Sequence, residues 1–164
     1  MFSRRWHAAL MPQDRTRTAV VCDDRADVRR SVTGVLERCG FVVVGEADDF
    51  AALCRLVEEH RPGVAVLSLP VIGVSSLAAV GAVRSAEPGC QVVVLSAFEQ
   101  LHLAALEAGA AALVAESDPQ ALQAVLRTIA GGRVPRSPPR PRTPGQVSGP
   151  TVLSATGLET ALST

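Results

Sequence analysis

Gly63-Val64-Ala65-Val66-Leu67-Ser68-Leu69-Pro70 is the stretch that decides the fold. Pro62-Gly63 opens it, Pro70 closes it, and four apolar residues run without interruption before Ser68. A half-exposed strand alternates apolar and polar residues. A short uninterrupted apolar run between turn residues is the pattern of a strand covered on both faces. Such strands belong to parallel sheets flanked by helices, whose ligand crevices lie just beyond the carboxyl ends of the strands. Ser68 stands at that end, and its chemistry therefore bears on function.

Toward the amino terminus, residues 18–22 read as an apolar strand ending in Asp23-Asp24. Val28, Val32, Val35 and Leu36 then recur at helical spacing, and Gly40 stops the helix. Residues 41–44 are the second strand. Asp49 caps a helix with Leu53, Leu56 and Val57 on its apolar face, and His60-Arg61-Pro62-Gly63 ends it. Toward the carboxyl terminus, Ser75 or Ser76 caps a helix through Leu77, Val80 and Val83, closed by Pro88-Gly89. Residues 91–95 form the fourth strand, leading to Ser96. Residues 98–108 form a helix ended by Gly109, and residues 111–115 a weak fifth strand. Asp118-Pro119 opens the last helix with a cap followed by proline at the first helical position, and Gly131-Gly132 ends it. Five strands alternating with five helices imply an α/β fold, a five-stranded parallel sheet with helices on both faces.

Length and charge set further bounds. The 164 residues accommodate one domain, expected over residues 18–132, between an N-terminal extension (1–17) and a tail (133–164) that both lack a folding pattern. Six of the eleven prolines fall in residues 135–150 among arginines, a composition that cannot offset its ordering entropy by burial. The formal charge of zero hides a split: residues 18–130 carry eight Arg against fourteen acids, and each flanking segment carries four Arg against one acid. An acidic domain is not the footprint of a nucleic-acid reader. No apolar run approaches the ~20 residues of a membrane span, so a cytoplasmic protein is expected. Cys22, Cys39, Cys54 and Cys90 show neither disulfide nor zinc spacing, and His7, His60 and His102 are scattered, so reduced, structural thiols are expected. All sixteen cations are arginine.

Asp23, Asp24, Ser68 and Ser96 converge on one rim at the strand ends. Here the chain resembles the receiver domain of bacterial two-component response regulators (the CheY-like, flavodoxin-like fold). The likeness covers roughly residues 18–130. It rests on Val20-Val-Cys-Asp-Asp24 followed by Val28-Arg29-Arg30, on Val43-Val-Gly-Glu-Ala47, and on Arg61-Pro-Gly-Val-Ala-Val-Leu67. Val94-Leu-Ser-Ala97 and Ala105-Leu-Glu-Ala-Gly-Ala110 complete it, and together these look most like receivers that precede a helix-turn-helix. The resemblance implies strand order 2-1-3-4-5. It also implies an acid pair for Mg²⁺, an aspartate that accepts a phosphoryl group on strand three, a hydroxyl after strand four, an aromatic switch on strand five and a lysine after it.

Carried over position by position, the acid pair is Asp23 and Asp24, the hydroxyl Ser96, the acceptor position Ser68, the aromatic position Leu113 and the lysine position Glu116. Ile72 stands where a proline is usual. A serine hydroxyl needs a general base to become a nucleophile, which an aspartate does not. Loss of the third carboxylate weakens a Mg²⁺ site. At about 6 Å and an effective dielectric near 20, exchanging lysine for Glu116 turns roughly 3 kcal/mol of attraction to a phosphoryl group into a similar repulsion.

The expectation is therefore an atypical, non-enzymatic receiver that works without phosphotransfer from a histidine kinase, by protein-protein contact. The expected partner is another protein or a second copy, met on the face between Phe98 and Ile129, with Ala104, Ala105 and Ala108 allowing close approach. No cofactor, nucleic acid or membrane is expected. The metal candidates are Asp23 and Asp24, alone as a residual Mg²⁺ site or joined by Glu116; the plain alternative is a solvated acidic rim. Two other readings stay open. One is the remnant of a helix-turn-helix regulator whose output domain is missing, since the residues after Val152 are too few for a three-helix reader. The other is a small-ligand or metal-binding flavodoxin-like module, against which stands the lack of a glycine-rich phosphate loop after strand one.

Overall fold

Four- to six-residue apolar runs suffice as strands here because helices cover both sides of them. In the computed structural model, which describes residues 14–69, 74 and 76–133, β1 (Thr18–Cys22), β2 (Val42–Ala47), β3 (Val64–Ser68), β4 (Gln91–Ser96) and β5 (Ala112–Ala115) form one sheet. Its order is β2-β1-β3-β4-β5 and every pairing is parallel. The helices are α1 (Ala26–Arg38), α2 (Phe50–His60), α3 (Ser76–Ala86), α4 (His102–Glu107) and α5 (Pro119–Ala130).

Alternation along the strands divides the core in two. On one face Ala19, Val21, Val64, Val66, Val93 and Leu95 pack with Val32, Val35 and Leu36 of α1 and Leu122 and Leu126 of α5. On the other, Val20, Ala65, Leu67, Val92 and Val94 pack with Leu53 and Val57 of α2, Val80 and Val83 of α3 and Ala105 of α4. All five residues of β3 are buried. Ser68 ends it opposite Leu95, at the carboxyl edge of the sheet.

The expected punctuation is present. Gly40 follows α1 with φ 84°. Asp49 accepts a hydrogen bond from the Ala52 N–H at 2.7 Å, and Asp118 one from the Ala121 N–H at 2.9 Å, each capping its helix. The carboxyl end of α5 is a Schellman motif: Arg133 N–H donates to Thr128 O and Gly132 N–H to Ile129 O, with Gly132 at φ 73°.

Three elements differ from the sequence expectation. The second strand runs over Val42–Ala47 rather than 41–44, with a bulge where Ala19 pairs Val43 but Val20 pairs Gly45. Gly45 and Glu46 broke the apolar run, yet an edge strand tolerates both. Gly45 lies where a side chain would strike Leu56, and Glu46 faces outward to Arg29. The helix expected over 98–108 is a 3₁₀ turn, Glu99–Leu101, followed by the six-residue α4. Its start is displaced because Ser96 Oγ accepts from the Phe98 N–H at 3.0 Å, which holds Phe98 extended. Within the extension expected to be unstructured, Asp14–Arg17 forms a 3₁₀ turn. It seats on Gly63, where a Cβ would lie 2.6 Å from Arg15 O, and Thr18 Oγ1 donates to the same carbonyl at 2.7 Å. Pro70, Ile72 and Ser75, residues 1–13 and the tail from 134 onward lie outside the described residues.

Candidate functional site

The carboxyl ends of β1, β3, β4 and β5 bring together the residues singled out from sequence. Asp23 follows β1 and is 4% exposed. Its N–H donates to Ala47 O, its Oδ1 accepts from the Arg25 N–H at 2.7 Å, and its carbonyl accepts from Arg29 Nη1 at 2.8 Å. Three bonds from three directions fix it. Asp24 beside it is exposed. Ser68 is buried at the end of β3, and Leu69 N–H donates to Leu95 O at 2.9 Å, so the strand pairing runs on past the serine. Ser96, fully buried, spends its oxygen on the Phe98 N–H, while its carbonyl accepts from the Glu116 N–H at 3.3 Å. Leu113 points into the core beside Val94, its neighbour in register.

Glu116 does not face the rim unpaired. Its Oε1 lies 3.4 Å from Arg25 Nη1, and Arg25 Nη2 lies 3.0 Å from Asp27 Oδ2. The hydrogen bond with Asp27 is the main cause that raises Arg25 above its ordinary range, with Glu116 and Asp23 adding to it. Asp27 is correspondingly lowered by Arg25. Both groups of the Arg25–Asp27 pair are mostly solvated, so it adds little stability. Its effect is positional: one guanidinium links the loop after β1 to the loop after β5. Among the described residues no three His, Cys, Asp or Glu side chains form a group able to hold a metal ion.

Arg25 was missed from sequence, although it directly follows the acid pair. The rim cation is an arginine on the loop after β1, whereas the resemblance implies a lysine after β5. Arg29 and Thr33 were missed as well. Arg29 Nε and Thr33 Oγ1 hold Glu46 at 3.4 and 2.9 Å, which ties α1 to the end of β2 behind Asp23. On the face expected to meet a partner, Ala105 is fully buried in the core, turned inward by the phase of the short α4. Phe98 and Leu103 are instead the large apolar side chains exposed there, at 52% and 55%. The four thiols are free; Cys22, Cys39 and Cys90 are buried. No described helix is long and apolar enough to cross a membrane.

An α/β sheet of this order, with a buried acid at the end of β1 and a buried hydroxyl at the end of β4, points to one class. A family model for the response regulator receiver domain matches residues 19–127, and the chain belongs to that family. Residues 19–127 are thus the receiver domain of a two-component response regulator, a signalling domain. Among individual proteins, the chain is 39% identical over 103 residues to "Probable transcriptional regulatory protein NarL" of Mycobacterium tuberculosis, covering 61% of this chain and 48% of that protein. The solved signal receiver domain of NarL from that organism superposes with TM-score 0.62 at 34% identity, covering 70% of this chain and 96% of that one. A LuxR-family two-component response regulator from Aurantimonas sp. SI85-9A1 superposes with TM-score 0.66 at 29% identity, over 73% of this chain and 87% of the other. The chain spans about half the length of the curated relatives it matches.

Proposed function

We propose that this receiver signals without accepting a phosphoryl group, through protein contact on the face that carries Phe98 and Leu103. The observation that carries the reading is Ser68 at the carboxyl end of β3, where the family resemblance calls for the aspartyl acceptor. A carboxylate attacks phosphorus as it stands at neutral pH. A hydroxyl must lose its proton first. Glu116 across the rim adds repulsion where the family's lysine would attract, and its Arg25 partner is already shared with Asp27. A Mg²⁺ ion bound at Asp23 and Asp24 would neutralise charge on a transferring phosphoryl group, and two carboxylates without a third make a weak cradle for it. Leu113 in the core and Ser96 bonded to the Phe98 N–H leave a fixed loop rather than a phosphate-read one.

Exposure of the acid-rimmed chain to acetyl phosphate, or to beryllofluoride, with Mg²⁺ tests this. Intact mass should show no adduct, and melting temperature and amide spectra should not move. A labile phosphoryl group on any residue would overturn the reading. Phe98→Glu and Leu103→Glu test the contact face, since either should abolish self-association or partner capture through that face without changing the melting temperature.

A further inference from the structure

Three large apolar side chains are exposed among the described residues, and two of them, Phe98 and Leu103, belong to the contact face proposed above. The third, Val42, is the most exposed, at 58%, and stands at the opposite edge of the sheet. It opens β2, which pairs with β1 on one side and with no described strand on the other. A free edge is a row of unpaired N–H and C=O groups, which folded chains blunt with a short strand, a proline, a lysine or a covering element. At the other edge β5 is short, with three of its four residues buried. β2 has six residues, and none of the first five is buried. Phe41-Val-Val-Val-Gly45 holds neither proline nor charge. Glu46, the one charged residue of the strand, is held by Arg29 and Thr33 of α1. The bulge between Val43 and Gly45 shifts register against β1 and adds no charge or proline to the outer edge.

What satisfies such an edge is another extended strand, and the chain's own β2 supplies one. A twofold contact is self-complementary, so identical strands meet antiparallel, the start of each beside the end of the other. α1, which flanks β2, is self-complementary in the same sense. Thr33 faces β2 through its bond to Glu46, and Arg30 and Glu37 lie three residues before it and four after, on one stripe. Both are exposed, and neither forms an ion pair among the described residues. Reversing one α1 against another about Thr33–Gly34 sets each Arg30 beside the Glu37 of the second copy. The same axis passes through β2. Glu46 is level with the stretch of α1 between its partners Arg29 and Thr33. The helix runs opposite to the strand, and the remaining rise of about 4 Å to Thr33–Gly34 matches about one strand residue, which is Gly45.

We propose that two copies of this chain pair through the outer edges of β2, antiparallel about a twofold axis at Gly45, joining two five-stranded sheets into one. This pairing goes beyond contact through Phe98 and Leu103 and does not depend on it. It leaves the Asp23–Ser68–Ser96 rim open on both copies and sets the two Phe98–Leu103 faces at the far ends of the joined sheet. A protein that meets that face is then met twice, and bivalence raises avidity without any new contact.

The test uses the full chain carrying Phe98→Glu/Leu103→Glu, so that the far edge cannot associate. Sedimentation velocity should show a monomer–dimer equilibrium at or below about 1 mM, and amide exchange of Val44 and Glu46 should slow as concentration rises. Val42→Glu sets an acid beside Asp48 of the second copy and should weaken the dimer roughly tenfold. Val42 is exposed, so the melting temperature of the monomer should not move. Arg30→Glu alone and Glu37→Arg alone should each weaken the dimer roughly tenfold, because both symmetry-related contacts become like-charged. Mixed in equal amounts, these two variants should dimerise as the parent chain does. Both substitutions suit the dipole of α1, an acid toward its start and a cation toward its end, so neither unfolds the helix. A chain that stays monomeric overturns the proposal. So does a dimer that Val42→Glu and the charge variants leave intact, a mixture that stays dissociated, or protection that grows with concentration only outside β2 and α1.

Discussion

Supplying at residues 68 and 116 the aspartate and lysine that the family resemblance calls for should create anion binding, by an amount the geometry bounds. Glu116→Lys reverses one charge at the edge of the acidic cluster, and the new ammonium meets Arg25 where the carboxylate had been, 3.4 Å away. Like charges at that distance repel, so the introduced side chain swings off the guanidinium toward the rim, and Arg25 keeps Asp27. At about 6 Å and a dielectric near 20, a unit charge contributes roughly 3 kcal/mol of either sign, a swing near 6. Physiological salt, with a Debye length of about 8 Å, halves that to roughly 3 kcal/mol, or about 100-fold in affinity. Ser68→Asp supplies the carboxylate that beryllofluoride needs. Titration of beryllofluoride with Mg²⁺, followed by amide shifts, should find no binding to wild type or to Glu116→Lys alone and weak binding to Ser68→Asp. The double variant should bind about 100-fold more tightly than Ser68→Asp. Equal affinity for Ser68→Asp and the double variant would refute the electrostatic reasoning, and binding by wild type would refute the assignment of Ser68.

Four further outcomes follow from the packing and titration of the domain. Ser96→Ala deprives the Phe98 N–H of its acceptor and should lower stability by about 1 kcal/mol in urea unfolding, while Ser96→Thr keeps it. Gly63→Ala should destabilise by about 1–3 kcal/mol, since its Cβ meets Arg15 O at 2.6 Å and Thr16 Cα at 2.7 Å. Gly81→Ala, in open space within α3, should stabilise by about 0.5–1 kcal/mol, and both signs are read from melting temperatures. The chain has no lysine and no tyrosine, so thiols dominate the side-chain titration of its alkaline limb. Burial, and then the charges of nearby acids, pushes Cys22 and Cys90 up to about 12 from a starting value of 9.0. The unfolded chain thus releases protons first. Stability is full below about pH 9 and falls toward pH 12 by up to about 1.4 kcal/mol per pH unit for each thiol, a slope that Cys90→Ala should reduce.

The fold was legible because its signals are local and redundant. The run before Ser68 specifies a strand covered on both faces whatever surrounds it, and Asp49, Gly40 and Asp118-Pro119 fix helix ends within a residue or two. Misreadings fell where a particular contact, most often a long-range one, decides. One misreading has a local cause: the expected helix from Phe98 is shortened by the Ser96 side chain two residues upstream, which the helical spacing masks. The 3₁₀ turn over Asp14–Arg17 exists because Gly63, 46 residues from Arg17 in the chain, leaves room for it. The bulge in β2 needs β1 beside it.

The site was legible in its positions and not in its electrostatics. Asp23, Ser68, Ser96, Leu113 and Glu116 stand where the strand ends put them. Whether Glu116 repels an anion alone or as half of a pair depends on which cation folds against it, and nothing in the linear sequence joins residue 25 to residue 116. Arg25 with Glu116 and Asp27 carries one net negative charge where the two acids alone would carry two, so the guanidinium softens the rim without making it attractive. That difference decides the order of affinities in the beryllofluoride titration. In the Ser68→Asp background, Arg25→Ala should weaken beryllofluoride binding by unmasking the Glu116 carboxylate, whereas in the Ser68→Asp/Glu116→Lys background, with no carboxylate at 116 to unmask, it should weaken it less. A single substitution with unequal effects in these two binding-competent backgrounds, read as a double-mutant cycle on beryllofluoride affinity, separates a paired Glu116 from a solvated one.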